Sequence, residues 1–239
     1  MEVLYDDASH TYYTMVNGRR IVYVSATTLI SKYKQPFDAK AVAIKYAEKH
    51  GQTPEYWIKQ WAKVSKDACN YGTAVHNAKE RLEYELSPNT IDTSQVRMLN
   101  YHALSDGIYP ELKLWHHDWK IAGRSDKCIV ETVNGKRFMH IEDYKTNKEL
   151  KQQSYQYKDG AFKMLKPPIA HIQDCNMQHY TLQLSLYQYM AEYLGFIPGY
   201  RKIIHIPNAG EEIVYKTEYL RKDIQKILYH AKTHKYIGN

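Results

Sequence analysis

Two aspartates and a lysine in this 239-residue chain have the types and spacing to do chemistry together. Asp143 and Lys145 are two positions apart, so their side chains share a face if the segment is a strand. Asp126 lies on the preceding segment, across the two-residue turn signal Asn134-Gly135. Carboxylate oxygens are ligands that Mg²⁺ and Mn²⁺ prefer, and a lysine can stabilise developing negative charge. The set predicts a divalent-metal site.

The Asn-Gly turn also predicts how its two segments pair, because a two-residue hairpin fixes the register of its strands. Counting outward from the turn places Cys128 opposite Ile141, and Asp126 opposite Asp143. Directly opposed like charges are destabilising unless a cation compensates them. The predicted face is apolar near the turn and becomes charged where a metal ion would bind.

A simpler interpretation is that both aspartates are solvated and are neutralised by Arg124 and Lys145. Against it, Asp143 follows Met139 and Ile141 on one face, where a plain core strand would continue with Val or Ile. The pattern therefore favours the metal site.

The strand before Asp126 supplies a further candidate ligand. If His117-Asp118 forms the intervening turn, Glu111 lies opposite Arg124 and diagonal to Asp126, on the same face. A bulge or a longer turn would change this register.

The segments that must position these residues show strand and helix patterns in turn. Strands are predicted at 11–16 and 19–24 around Asn17-Gly18, as a meander within 108–146, and at 200–206 and 213–216. Helices are predicted from Ser25 to Ile30, from Thr53 to about Leu86, and over 93–104, 178–194 and 218–234. Residues 147–177, which include Pro167-Pro168, are predicted to be a long mobile loop with little regular structure.

This order of elements predicts an α/β fold with one central mixed sheet flanked by helices. The length fits a single domain over 1–239. Its N-terminal hairpin and helical part would reach residue 105, and the sheet with its flanking helices would follow from residue 106.

The composition suggests a partner and disfavours several classes of protein. A net charge of +7 and 23 tyrosines against 4 phenylalanines suit contacts with phosphates and bases, although an AT-rich genome would produce the same bias. Neither an apolar run of about 20 residues nor a signal segment is visible, so we expect a cytoplasmic protein without membrane contact. The three cysteines have no metal-binding spacing, which disfavours a disulfide framework and an iron–sulfur cluster.

The motifs, taken in order, resemble the PD-(D/E)XK nuclease superfamily. Within it they resemble the RecB-like exonuclease group, which includes phage nucleases and the mitochondrial genome maintenance exonuclease. The matching segments span residues 24–187 and are Val24-Ser25-Ala26-Thr27-Thr28-Leu29, Gly72-Thr73-Ala74-Val75-His76, Pro110-Glu111, Gly123-Arg124-Ser125-Asp126, Asp143-Tyr144-Lys145-Thr146 and Leu182-Gln183-Leu184-Ser185-Leu186-Tyr187. Ser125 stands where the nominal motif has Pro, which removes no ligand.

The resemblance implies a restriction-endonuclease-like core, elaborated by the N-terminal hairpin and helices, that hydrolyses DNA. Asp126 and Asp143 would coordinate two Mg²⁺ or Mn²⁺ ions, with the Tyr144 carbonyl as a further ligand. Lys145 would orient the attacking water or stabilise charge in the transition state. Such ions suit phosphodiester hydrolysis because they relieve negative charge at the reacting phosphate.

Four more residues complete the site that the resemblance implies. His76 and Glu111 would complete the metal shell. Gln183 and Tyr187 are four residues apart, hence on one helical face, and would line the site and contact substrate. Packing in the core is the alternative role for Tyr187.

His76 also has a simpler alternative, as a surface or core-edge histidine. It follows Gly72 by four residues on a helix predicted to bury Val75, Leu82 and Leu86. A glycine there would let the helix backbone approach the sheet closely and point the imidazole toward it.

The substrate is predicted to be DNA that is single-stranded or has free ends. Arg124 would contact it, and Ser25 with Thr27 could hold a phosphate at a helix start, where a plain helix cap is the alternative. In the predicted loop, Tyr155 and Tyr157 would stack on bases.

Three functions stay open on the sequence alone. The first is a metal-dependent DNA exonuclease acting in replication, recombination or repair, with phage or host replication and recombination proteins as partners. The second is a structure-specific endonuclease of the same superfamily. The third is a noncatalytic nucleic-acid-binding protein that kept the fold, against which the intact Asp126, Asp143 and Lys145 argue.

Overall fold

A mixed β-sheet of eight strands lies at the centre of the structure, and helices flank it. The computed structural model describes residues 2–95, 98–207 and 211–238, and the elements below belong to those ranges. The strands are β1 (Leu4–Asp6), β2 (Thr11–Val16), β3 (Arg19–Ser25), β4 (Gly107–His116), β5 (Ile121–Val133), β6 (Lys136–Lys145), β7 (Ile197–His205) and β8 (Ile213–Lys216). The helices are α1 (Ala26–Ser31), α2 (Ala39–His50), α3 (Pro54–Leu86), α4 (Asn176–Tyr193) and α5 (Arg221–Thr233). The predicted α/β class with a central mixed sheet is confirmed.

Strand β5 pairs with three other strands, and this arrangement leaves the sheet open beside Asp126. Strand β4 runs antiparallel along one edge of β5. On the other edge, β3 pairs in parallel with Ile121 and Ala122, and β6 pairs antiparallel from Lys127 onward. Residues 123–126 lie between these two partners. The sheet continues from β6 through β7 to β8, and from β3 through β2 to β1.

Both Asn-Gly turns form as predicted. Asn17 and Gly18 have φ angles of 48° and 75°, and Asn134 and Gly135 have 51° and 72°. Positive φ at both central residues is what a type I′ turn requires, and it matches the twist of the flanking strands.

The predicted register of the second hairpin is confirmed over its paired length. Cys128 lies opposite Ile141, and the last pair of this ladder is Lys127 with Glu142. Asp126 and Asp143 occupy the next position beyond that pair, where the two strands separate.

The turn between β4 and β5 is longer than predicted. Its closing pair is His116 with Ile121, so four residues, 117–120, form the turn in place of His117-Asp118 alone. The length of this turn could not be predicted from the sequence, because residues 117–120 contain neither a glycine nor an Asn-Gly pair.

The longer turn corrects the predicted partner of Glu111. Pro110 pairs with Lys127 and Leu112 pairs with Ser125, so Glu111 faces Asp126 directly and not Arg124. A register shift of two residues keeps every side chain on its predicted face. Glu111 therefore lies closer to Asp126 than the predicted register placed it.

The segment before α4 lacks a helix or a strand among its described residues, as predicted, but it is held in place. Leu165, Ile169 and Ile172 are buried in the core, and the Lys166 amide donates a 2.8 Å hydrogen bond to the Tyr33 carbonyl. These buried apolar side chains hold residues 165–172 in place, so the prediction of a mobile polar loop is wrong for that part of the segment.

Helix α3 has the predicted bounds but not the predicted buried face. Thr53 caps its start by accepting a hydrogen bond from the Tyr56 amide. Among its 33 residues none is buried, and Leu82 and Leu86 are 41% and 70% exposed. Val75 alone of the three predicted residues packs on a buried cluster, and polar contacts described below hold the helix against the sheet beside it.

The helix predicted over 93–104 takes another form. Two 3₁₀ helices lie at Thr93–Gln95 and Met98–Ala103, and residues 96–97 between them are outside the described ranges.

Strand β1 and helix α2 were not predicted. Asp38 caps α2 by accepting from the Ala41 amide, and the helix packs on the first turns of α3. Tyr46 of α2 meets Trp57 and Trp61 of α3, with ring centroids 4.7 and 5.7 Å away. The two helices form a hairpin, called the α2–α3 arm below.

Helix α4 is the most deeply buried helix. Leu182, Leu184, Leu186 and Met190 have no exposed surface, and four polar residues of the helix are buried as well, so the helix is covered around most of its circumference. It packs on strands β4 to β7 and thereby presents its polar positions to the sheet. Among the described helices none combines the length and apolar character that a membrane span needs.

Candidate metal centre

Three side chains from three different elements converge into a group that could hold a metal ion. His76 comes from α3, Glu111 from β4 and Asp126 from β5, and one ligand atom of each lies within 4.8 Å of the others. One nitrogen and two carboxylate oxygens suit a divalent ion of intermediate hardness such as Mn²⁺, and also Mg²⁺. The donor set fits the predicted cofactor.

The backbone at Glu111 is unusual. Its φ of 52° lies in the left-handed region, which a non-glycine residue rarely adopts and which costs about 1–3 kcal/mol. The ladder between β4 and β5 is interrupted only there, between Pro110 and Leu112, within the described pairing of the two strands. Such strain is found where a side chain must be aimed at a functional site.

The carboxylate of Asp126 is held by two neighbours. The Tyr144 amide donates a 2.7 Å hydrogen bond to Oδ2, and His76 Nδ1 lies 3.4 Å from Oδ1. Burial disfavours the charged form of Asp126, but the His76 hydrogen bond and the charge of Lys145 outweigh it and lower its pKa. The same contact raises the pKa of His76.

Asp143 lies beside this group without belonging to it. Its carboxylate forms an ion pair with Lys145 and accepts a 3.4 Å hydrogen bond from Gln183 Nε2. Burial, followed by the charge of Asp126, raises the pKa of Asp143. Burial opposes the charge on Lys145, but Asp143 and Asp126 outweigh it, so the lysine pKa is raised and the ammonium stays protonated.

Lys145 has further neighbours that the sequence did not identify. Its ammonium lies 4.8 Å from the centroid of the Tyr180 ring. The Tyr180 hydroxyl donates to Asn147 Oδ1, and the Asn147 carbonyl lies 2.6 Å from His205 Nε2. Tyr180 is three residues before Gln183 on α4. This helical spacing places both side chains on one face and could have indicated that Tyr180 lies near the site.

The side chain of Tyr144 lies between β6 and α3, and its ring meets His76 edge to face with the centroids 6.0 Å apart. Its ring packs with Val75, Ile204 and Ile206, and its hydroxyl lies 3.3 Å from Glu83 Oε1 of α3. Its main-chain amide holds Asp126, so Tyr144 contributes to the site through its backbone. A ligand role for its carbonyl stays a prediction.

Glu83 is the centre of the contacts that hold α3 on the sheet. Lys127 Nζ lies 2.7 Å from Glu83 Oε1 and 3.4 Å from Glu142 Oε2. Gly72 sits against Thr146, where an added Cβ would lie 3.2 Å from the hydroxyl oxygen. The close approach predicted from Gly72 is therefore present, and it brings His76 to Asp126.

The metal group lies at the edge of an open cleft of about 990 Å³. Its walls come from the N-terminal strands, α3, the first 3₁₀ helix, β4 and β5. Its lining residues are Leu4, Tyr5, Asp7, Tyr12, Cys69, Gly72, Thr73, His76, Asn77, Glu80, Thr93, Ser94, Glu111, Lys113, Arg124 and Asp126.

Arg124 lies in the cleft and contacts two of its walls. Its Nε is 2.5 Å from Glu111 Oε2, and its guanidinium lies 5.2 Å from the Tyr5 ring centroid. Burial, with the nearby charge of Asp126, raises the pKa of Glu111 to about 7 despite this ion pair. Arg124 thus joins β4 to the N-terminal strands within the cleft.

Gln183 and Tyr187 lie beside Asp143, on the α4 side of the site. Gln183 Nε2 donates a 3.1 Å hydrogen bond to the Tyr187 hydroxyl. Tyr187 is 4% exposed and presses on Gly123, where an added Cβ would lie 2.5 Å from the ring. Tyr187 is therefore a packed side chain whose hydroxyl orients Gln183.

Four predicted substrate residues, Ser25, Thr27, Tyr155 and Tyr157, are absent from the lining of the cleft. The Ser25 hydroxyl bonds within its own helix cap, to the Thr28 amide and the Thr27 hydroxyl. Tyr155 and Tyr157 are 66% and 48% exposed, with ring centroids 5.3 Å apart. Their contact with substrate stays a prediction.

No protein-family model matches the chain, and no curated protein matches it either.

Proposed function

We propose that this chain is a divalent-metal-dependent deoxyribonuclease that hydrolyses phosphodiester bonds in single-stranded DNA or at DNA ends. The observation that carries the proposal is the convergence of His76, Glu111 and Asp126, with Lys145 on the adjoining strand, at the edge of an open cleft. A histidine, two carboxylates and a lysine match the requirements of metal-assisted hydrolysis. A structural metal site would need no neighbouring lysine and no open cleft.

Each residue has a role that its surroundings support. His76, Glu111 and Asp126 would hold the ion, which supplies charge relief at the phosphate and lowers the pKa of water when bound. Asp143 fixes the ammonium of Lys145, which stays protonated and can stabilise the negative charge that develops on the phosphate oxygens. Gln183 holds the other oxygen of Asp143.

Arg124 supports a nucleic-acid substrate in particular. Its side chain is 42% exposed in the cleft, and its guanidinium offers donors that match phosphate geometry. The net charge of +7 favours a polyanionic partner. We propose DNA in the cytoplasm of a bacterium or a phage-infected host as the setting, and replication and recombination proteins as partners.

A digestion time course tests the proposal. Single- and double-stranded DNA, labelled at the 5′ or the 3′ end, is incubated with Mg²⁺ or Mn²⁺. We expect metal-dependent cleavage by the wild type and its loss in Lys145→Ala. Lys136→Ala, an exposed lysine on the same strand, is the matched control and should cleave normally.

The form of the products tests the mode of action. Release of labelled mononucleotides or short oligonucleotides from linear strands, with closed circular strands left intact, indicates an exonuclease. Cleavage of circular strands would contradict an end-dependent enzyme and indicate an endonuclease. A wild type that is inert with both metals on every DNA form would contradict the proposed activity.

A further inference from the structure

Helix α3 carries a stripe of polar and cationic side chains along one face. An α-helix advances about 100° per residue, so 18 residues complete five turns and return to the same face. Six residues between positions 59 and 77 fall within about 40° of one line along the helix. They are Lys59, Lys63, Lys66, Asn70, Thr73 and Asn77, here called the α3 stripe.

The α3 stripe faces away from the rest of the arm. Trp57 and Trp61, which pack on Tyr46 of α2, lie on the opposite side of the helix. All six stripe residues are exposed. The aromatic contact with α2 fixes α3 on the opposite side, so the stripe faces solvent. At a rise of 1.5 Å per residue, the stripe is about 27 Å long.

The stripe leads into the candidate metal centre. Thr73 and Asn77, its last two members, line the cleft together with His76 of the same helix. The three lysines occupy the part of α3 that extends beyond the cleft. A polymer lying along the stripe would pass directly into the cleft.

The charge of the stripe is uncompensated. In the part of the chain that the structure describes, no carboxylate lies within ion-pair distance of Lys59, Lys63 or Lys66, whereas Lys79 of the same helix pairs with Glu212. No acidic residue falls on the stripe face between positions 59 and 77. An ordinary solvated helix face would mix charges of both signs.

We propose that the α3 stripe binds the sugar–phosphate backbone of a DNA single strand that enters or leaves the cleft. The inference rests on the proposed nuclease function. Lysines neutralise phosphates in a sequence-independent way, and the side-chain amides of Asn70 and Asn77 can donate hydrogen bonds to phosphate oxygens. The stripe thus guides the strand toward His76.

Binding measurements test the stripe separately from cleavage. The probe is a fluorescent oligo-dT strand of about 30 nucleotides, titrated with protein in EDTA at several salt concentrations. The variant is Lys59→Gln/Lys63→Gln/Lys66→Gln, since Gln keeps helix propensity and removes charge. The matched control, Lys222→Gln/Lys226→Gln/Lys232→Gln, removes three exposed lysines from α5, none of which lines the cleft.

We expect the stripe variant to bind at least about tenfold more weakly and to lose about two units of salt slope, because each phosphate contact contributes about 0.7 to the slope on single strands. The α5 control should keep wild-type affinity. Unchanged affinity and slope in the stripe variant, or an equal loss in the control, would overturn the proposed DNA-binding role of the α3 stripe. Cleavage of DNA by the wild type would still support the nuclease function. A wild type that neither binds nor cleaves DNA would overturn both proposals.

Discussion

The three candidate ligands differ in how readily they ionise, although they lie within one small group. The Tyr144 amide and His76 keep Asp126 in its charged form and lower its pKa. Burial and the charge of Asp126 raise the pKa of Glu111 to about 7. The raised pKa values of Glu111 and His76 favour proton binding near neutral pH, and a divalent ion competes with those protons for the same atoms.

This competition predicts that metal binding strengthens as pH rises. The pKa values of Glu111 and His76 are both raised, and each group must lose its proton to serve as a ligand. One competing proton with a pKa of about 7 should weaken Mn²⁺ binding by more than about tenfold at pH 5.5 relative to pH 8. Titration calorimetry with Mn²⁺ at several pH values measures this dependence. An affinity that stays constant or falls as pH rises would contradict the arrangement.

Among the elements, helix α3 carries His76, so the metal group depends on how this helix is attached to the sheet. The helix has no fully buried residue, so it is held on the sheet by the contacts of Glu83 with Lys127 and Tyr144 and by the partly buried Val75. His76 lies on the same helix, seven residues before Glu83. The metal group therefore depends on a contact that none of its own ligands makes.

Replacing Glu83 by Gln should loosen this attachment. The loss of a charged hydrogen bond to Lys127 is expected to cost about 1–3 kcal/mol in the free energy of unfolding and to weaken Mn²⁺ binding. Glu85→Gln is the matched control, because among the described residues Glu85 forms its ion pair with the exposed Arg81, and its loss should cost less than about 0.5 kcal/mol. Denaturant unfolding and metal titration of both variants measure the effect. Equal stability of the two would show that Glu83 does not hold α3.

The loop that follows β6 makes a separate prediction about substrate. Tyr155 and Tyr157 project into solvent with their rings edge to face, and stacking of one base on an aromatic ring is worth about 1–3 kcal/mol. Tyr155→Ala/Tyr157→Ala is expected to lower single-strand affinity about tenfold or more. Tyr229→Ala, which removes a tyrosine that is 65% exposed on α5, is the control. Unchanged affinity in the loop variant would exclude the loop from the DNA path.

For the molecule as a whole, the features that could be predicted from the sequence are those determined by turn type and by the alternation of side chains along strands. Two Asn-Gly turns fixed two hairpin registers, and alternating side chains placed Asp126 near Asp143. The four-residue turn at 117–120 carries no such signal, so the partner of Glu111 was predicted wrongly. The left-handed backbone at Glu111 had no sequence signal at all.

The position of α3 and the contacts of Lys145 lay beyond sequence reasoning for a different reason. Helix α3 has no apolar stripe that reaches the core, so periodicity could not show which face meets the sheet. The contacts of Glu83 with Lys127, and of Tyr180 with Lys145, join segments that are distant along the chain. Such pairs are set by tertiary packing and not by spacing.

Asp126 is proposed to hold a divalent ion that the chain uses to cleave DNA. The most direct test compares the initial rates of Mn²⁺-dependent cleavage of end-labelled single-stranded DNA by the wild type and Asp126→Asn. The amide keeps the shape of the side chain but removes its charge, so we expect a rate loss of at least about 100-fold. Asp126→Asn cleaving at the wild-type rate would contradict the claim.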